Sequence, residues 1–157
     1  MIQLSFTPPA PGSPWRKTWD RAKQRDLADI TETDLQYKYF DVNVEMIVND
    51  VEAISKTRFV TLVDLSLSFA YSTKRILSGE DAAFGFTESD EVIHLHNNGN
   101  LIIISSSKKP WQVSADRKEL ADAFLNFSRE AYRHLTSEFP LLAKNPTIQS
   151  FSPERLQ

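Results

Sequence analysis

The sequence predicts an α+β domain: a mainly antiparallel sheet of four to six strands, two main helices packed on one face, and an extended N-terminal arm. Three patterns carry that prediction. Phe40, Val42, Val44, Met46 and Val48 alternate with Asp41, Asn43, Glu45 and Ile47, the period of two that marks a half-buried strand. Asn98-Gly99 separates the β-rich runs Val92–Asn97 and Leu101–Ile104, a strong hairpin signal. Leu62, Leu65, Phe69, Thr73 and Ile76, and then Leu120, Phe124, Phe127, Ala131 and Leu135, recur at helical spacing.

The elements follow in chain order. Residues 1–34 read as an arm, because Pro8, Pro11 and Pro14 recur every third residue and suit polyproline II. A short helix is expected inside it, with Ser13 as N-cap and Pro14 at the first helical position. Trp15, Trp19 and Ala22 would then share one face. After the strand at 40–48, Asn49-Asp50 is a turn and Val51–Ile54 a return strand. A helix over 62–77 starts with a Thr61/Asp64 capping pattern and ends with Gly79 as C-cap. Ala83–Thr87 and Trp111–Val113 flank the hairpin as further strands. With Asn98-Gly99 as the turn, His96 pairs with Leu101 and Leu95 with Ile102, leaving Ile93, Leu95, Ile102 and Ile104 for the core. The second long helix takes an Asp116/Glu119 cap and stops at Pro140. Residues 35–142 are expected to form one domain and 143–157 a tail.

Composition narrows the function. A chain of 157 residues with 41% hydrophobic content fits one ordinary domain. The longest uncharged apolar run, Leu101–Ile104, is far short of the roughly 20 residues of a membrane span. The first residues lack the basic and apolar regions of a signal peptide. With no Cys there are no disulfides and no thiolate metal site, which suits a cytoplasmic setting. A net charge of −3 speaks against general nucleic-acid binding.

His94 and His96 lie two apart on a strand, so both point to one face, as two metal ligands would. No acid is placed with them, and the rim of a hairpin is the better reading. Ser105, Ser106 and Ser107 have none of the flanking glycines of a nucleophile elbow. Four Gly in the whole chain build neither a Walker loop nor a dinucleotide fingerprint. Glu80, Asp81, Glu88, Asp90 and Glu91 offer paired carboxylates, but without the setting of a glycosidase or nuclease site. No catalytic residue, metal or cofactor is therefore assigned.

The same five acids suggest binding instead. Residues 76–107 contain no Lys or Arg, so they carry a formal charge of −5. Trp15–Asp26 holds five bases and two acids, a balance of +3. Charge zoned in this way steers a basic partner to the acidic side. Trp15 and Trp19 are read as packing the arm onto the domain rather than stacking on bases.

The segments TLVDLSLSFAYSTKRILSG (61–79), VIHLHNNGNLIIISS (92–106) and ELADAFLNFSREAYRHLTSEFP (119–140), in this order, resemble small bacterial immunity proteins of polymorphic and contact-dependent toxin systems. The resemblance spans about 37–142 and rests on layout, size and charge. It implies a non-enzymatic inhibitor that binds its cognate toxin domain in the cytoplasm, the toxin often being a basic nuclease. The expected contacts are Glu80, Asp81, Glu88, Asp90 and Glu91 with His94 and His96. Two other readings stand beside it: a small hydrolase or metal-dependent enzyme using His94 and His96, and a homo-oligomer that covers Leu101 and Ile103.

Overall fold

Eight strands form two four-stranded antiparallel sheets rather than one, and two long helices pack on them, so the chain is an α+β protein. The structure, a computed structural model, describes residues 1–156. Sheet A contains β1 (Ile2–Thr7), β2 (Asp41–Val48), β3 (Val51–Ile54) and β4 (Phe59–Thr61). Strand β2 is its centre, with β1 on one edge and both β3 and β4 on the other. Sheet B is a meander of β5 (Ala82–Phe86), β6 (Ser89–Asn98), β7 (Leu101–Ser106) and β8 (Gln112–Asp116).

The helices are α1 (Lys17–Ala22), α2 (Glu32–Tyr37), α3 (Leu62–Leu77), α4 (Arg117–Glu138) and α5 (Pro146–Gln149). The stripes predicted on α3 and α4 are buried, and they meet each other. Phe69 stacks on Phe124 with ring centroids 4.3 Å apart, and the Ser128 hydroxyl donates to the Ser66 carbonyl at 3.0 Å. The pair reaches both sheets: Phe69 meets Phe84 of sheet B edge-on at 5.1 Å, and Phe127 meets Phe6 of sheet A at 5.3 Å. One core therefore serves both sheets.

The caps follow the sequence except at one end. Asp116 accepts from the Glu119 N–H at 3.0 Å, as a capping residue should. Gly79, at φ +85°, closes α3: its N–H donates to the Ile76 carbonyl and the Glu80 N–H to the Arg75 carbonyl, the paired bonds of a Schellman end. Thr61 does not cap α3. Its hydroxyl donates to the Gln36 carbonyl at 2.6 Å and ties α2 to β4.

The two tight hairpins exchange roles. Asn49 and Asp50 both have positive φ, 46° and 72°, as a type I′ turn demands. The β6–β7 loop is Gly99-Asn100, with Asn98 opposite Leu101, His96 opposite Ile103 and Leu95 opposite Ile104. The expected pairing was thus two residues out of register. A shift of two preserves the faces, so Ile93, Leu95, Ile102 and Ile104 are fully buried as predicted. Glycine leads the loop with φ +68°, which favours a Gly-first type II′ arrangement over an Asn-Gly I′ turn.

The N-terminal segment is not an arm. Residues 2–7 pair along β2, from Ile2–Val48 to Thr7–Asn43, because Ile2, Leu4 and Phe6 supply the alternation of an edge strand. Ser13 caps a 3₁₀ turn over Pro14–Arg16 that leads into α1, as its sequence suggests. Trp19 is wholly buried, meets Phe40 edge-on at 5.0 Å and donates from Nε1 to the Asp41 carbonyl at 2.8 Å. Trp15 stacks on Phe59 at 4.2 Å. Both tryptophans therefore pack the segment down.

Nor are residues 143–156 a loose tail. Ile148 and Phe151 are fully buried. The buried Asn145 amide donates to the Leu27 and Ile30 carbonyls at 3.0 and 2.9 Å, while its oxygen accepts from the Thr147 N–H. These bonds clasp the C-terminal segment to the segment ahead of α2, satisfying groups that burial would otherwise strand.

Candidate partner-binding site

The candidate site grows from the alternation of β6. Glu91, Ile93 and Leu95 turn inward and are buried, whereas Asp90, Val92, His94, His96 and Asn98 lie on the opposite face. The register extends that outer face across the sheet. His94 sits opposite Ala83 and Ser105, His96 opposite Ile103, and Val92 opposite Gly85. Leu101 and Ile103 face Asp116 and Ser114 of β8 in turn. Because α3 and α4 take the inner face, His94 and His96 are exposed on the outer one. Leu101 is 44% exposed beside them.

The five acids do not form one patch. Strand β5 separates them, and its five residues are about 17 Å long. Glu80 and Asp81 precede it at one end; Glu88, Asp90 and Glu91 follow it at the other. Each also has a partner. Glu80 pairs with Arg75 at 3.0 Å, Asp90 with Lys108 at 3.0 Å, and Glu88 with Arg58 at 2.7 Å. Asp81 Oδ2 lies 3.0 Å from His96 Nδ1, and Oδ1 accepts from the Asn97 N–H at 2.9 Å. The hydrogen bond with His96, then that from Asn97, holds the Asp81 carboxyl below its usual range. Lys108 does the same for Asp90. Bases from outside the base-free interval thus offset part of its charge: Arg58, Arg75 and Lys108 supply three positive charges against its five acids.

Glu91 differs from the other four. It is 3% exposed, accepts from Arg58 Nη1 at 2.7 Å and from the Ser106 hydroxyl at 2.5 Å. Burial alone would push its carboxyl up, but the hydrogen bonds of Ser106 and Arg58 outweigh that and hold it low. Arg58 also lies 3.9 Å over the Phe86 ring. Glu91 is therefore a buried tie between the two sheets rather than a surface contact, which removes it from the expected binding set.

The same junction holds two acids that sequence reasoning missed. Asp41, at the start of β2, and Asp64, in the first turn of α3, are both half-buried. Burial, reinforced by the charge of Glu88, pushes each carboxyl up to about 6. Nothing local marks them, since the shift comes from packing and from an acid far along the chain. Among the described residues no three His, Cys, Asp or Glu side chains gather as a metal would require. No described helix is long and apolar enough to cross a membrane.

No family model, curated protein or solved structure matches the chain.

Proposed function

We propose that this chain is a non-enzymatic, protein-binding inhibitor, an immunity protein that neutralises a cognate toxin domain in the cytoplasm by docking it on the outer face of sheet B. The observation that carries the reading is the composition of that uncovered face. Val92, Leu101 and Ile103 form its apolar strip, with His94 and His96 among them. Polar contacts stand at both ends, the Arg75–Glu80 ion pair and the His96–Asp81 hydrogen bond at one and the Lys108–Asp90 ion pair at the other. An apolar centre with a polar, exchangeable rim is the anatomy of a protein interface.

The paired state of the acids is compatible with a basic partner. Exposed pairings contribute little, so Glu80, Asp81, Glu88 and Asp90 can exchange their present contacts for a partner's cations at small cost. Three aliphatic side chains are few for an obligate homodimer, whose interfaces bury roughly 2,000 Å² or more of largely apolar surface. That favours a separate partner over a second copy.

Calorimetric titration against the toxin domain encoded by the adjacent reading frame tests the proposal. A 1:1 complex is expected, weakened at least 100-fold by His94→Lys combined with Ile103→Lys. An absent complex, or an unchanged affinity in the folded double variant, would sink it.

A further inference from the structure

The free edge of β1 is built to receive another strand. Met1 and Asn49 face each other across the β1–β2 ladder, and the Asn49 N–H donates to the Met1 carbonyl at 2.9 Å. Antiparallel pairing alternates, so the odd residues Gln3, Ser5 and Thr7 turn their main-chain groups towards β2. Ile2, Leu4 and Phe6 turn theirs outward, and among the described residues those groups have no hydrogen-bond partner.

Edges of this kind are usually blunted by a charged side chain, a bulge or a covering element. Ile-Gln-Leu-Ser-Phe-Thr contains no charge, and its pairing with β2 runs without a break. The first proline, Pro8, comes only after the strand has ended. Beside the edge lie two open grooves of about 590 and 520 Å³. They share Leu4 and Asn126, so they form one trough along β1. Its far wall is a single face of α4: Glu119, Asp122, Asn126, Glu130, Arg133 and Ser137 recur every three or four residues. Six residues of strand span about 20 Å, and the helix wall from 119 to 137 about 27 Å. The trough therefore accommodates five or six extended residues.

Charge gives the occupant a polarity. At the amino-terminal end of α4 the trough is lined by three carboxylates, Asp116, Glu119 and Asp122, against two cations, Lys118, 2.9 Å from Asp122, and the Met1 ammonium, 3.6 Å from Glu119, an excess of one negative charge. At the other end Glu130 stands beside Arg133 and His134, giving a nearly balanced set. We propose that the free edge of β1 takes up an extended segment of a partner protein as a fifth strand of sheet A, lying in the trough beside α4 with a basic side chain against Glu119 and Asp122. This site lies on the other sheet from the proposed docking face and stands or falls independently of it.

The probe is a set of acetylated, amidated hexapeptides of alternating valine and threonine, with lysine, glutamate or neither at the first or last position. Amide hydrogen exchange of the full ¹⁵N-labelled chain, followed by NMR, reports which edge is covered. A lysine peptide is expected to slow exchange at Leu4 and Phe6 at least tenfold, leaving Gln3 and Ser5, which already bond to β2, unchanged. The double variant Glu119→Lys/Asp122→Lys should transfer the preference to a glutamate peptide, with circular dichroism confirming that α4 is intact. No added protection at millimolar peptide would overturn the proposal, as would equal binding of the lysine and glutamate peptides. Protection without peptide that grows with protein concentration would assign the edge to a second copy and overturn it too.

Discussion

The two faces of β6 differ in what their polar residues do, although they alternate within one stretch of sequence. The inner face holds Ile93 and Leu95 in the core with Glu91, whose charge is enclosed by Arg58 and Ser106. The outer face holds Asp90, His94 and His96, exposed to solvent, with Asp90 and His96 in single contacts to Lys108 and Asp81. A carboxylate one residue from another thus has a different task, because enclosure decides how costly the loss of its partner is. The inner face fixes the fold and the outer face is left available for binding.

Substitutions on the inner face should have the largest effect. Leu95 is fully buried, so Leu95→Ala is expected to cost about 2–5 kcal/mol in chemical denaturation. A loss below about 1 kcal/mol would mean that the sheet B core is not packed as described. Glu91→Gln comes next, since it leaves Arg58 with Glu88 alone beside a site emptied of its charge; about 2–4 kcal/mol is expected. The Glu91 carboxyl sits below its ordinary range, so its contribution is present at neutral pH and fades as pH falls below that range. The deficit of the variant should narrow in the same acidic window.

Asp64 tests the junction with the opposite sign. Its carboxyl is raised from 3.8 to about 6, so the folded state holds the proton more tightly than the unfolded one. Stability is gained below pH 3.8 and lost progressively as pH rises through about 6. Asp64→Asn should therefore raise Tm at pH 7 by about 2–4 °C and leave it unchanged near pH 4. A lower Tm at pH 7 would instead mean that the carboxylate is stabilised by the α3 terminus. The smallest effect belongs to the outer face: His94→Ala with His96→Ala should shift stability by no more than about 0.5 kcal/mol. A larger loss would show that the histidines support the sheet rather than wait for a partner.

Much of the fold was legible locally. The alternation of 40–48, the helix over 62–77 and the Asp116 cap each rest on neighbours within four residues. The strand at 2–7 was hidden by the prolines after it, since Pro8, Pro11 and Pro14 speak for an extended segment but not for what it pairs with. The C-terminal segment shows no period because its anchors, Asn145, Ile148 and Phe151, are held by distant groups instead of by a repeating face. Of the expected contacts, His94 and His96 were placed together because a period of two is enough to align them.

Sequence by itself determined the class of the protein and the core stripes of β2, α3, the β6–β7 hairpin and α4, because hydrophobic period is a short-range property. Only the tertiary structure decided what the acids mean. Arg58, Arg75 and Lys108 lie outside the base-free interval, yet they end beside Glu88, Glu91, Glu80 and Asp90. Charge along a chain adds in one dimension, but ions interact across space within a few ångströms. The free edge of β1 belongs to the same category, since a strand's partner, or its want of one, is set by sheet order and not by its own six residues.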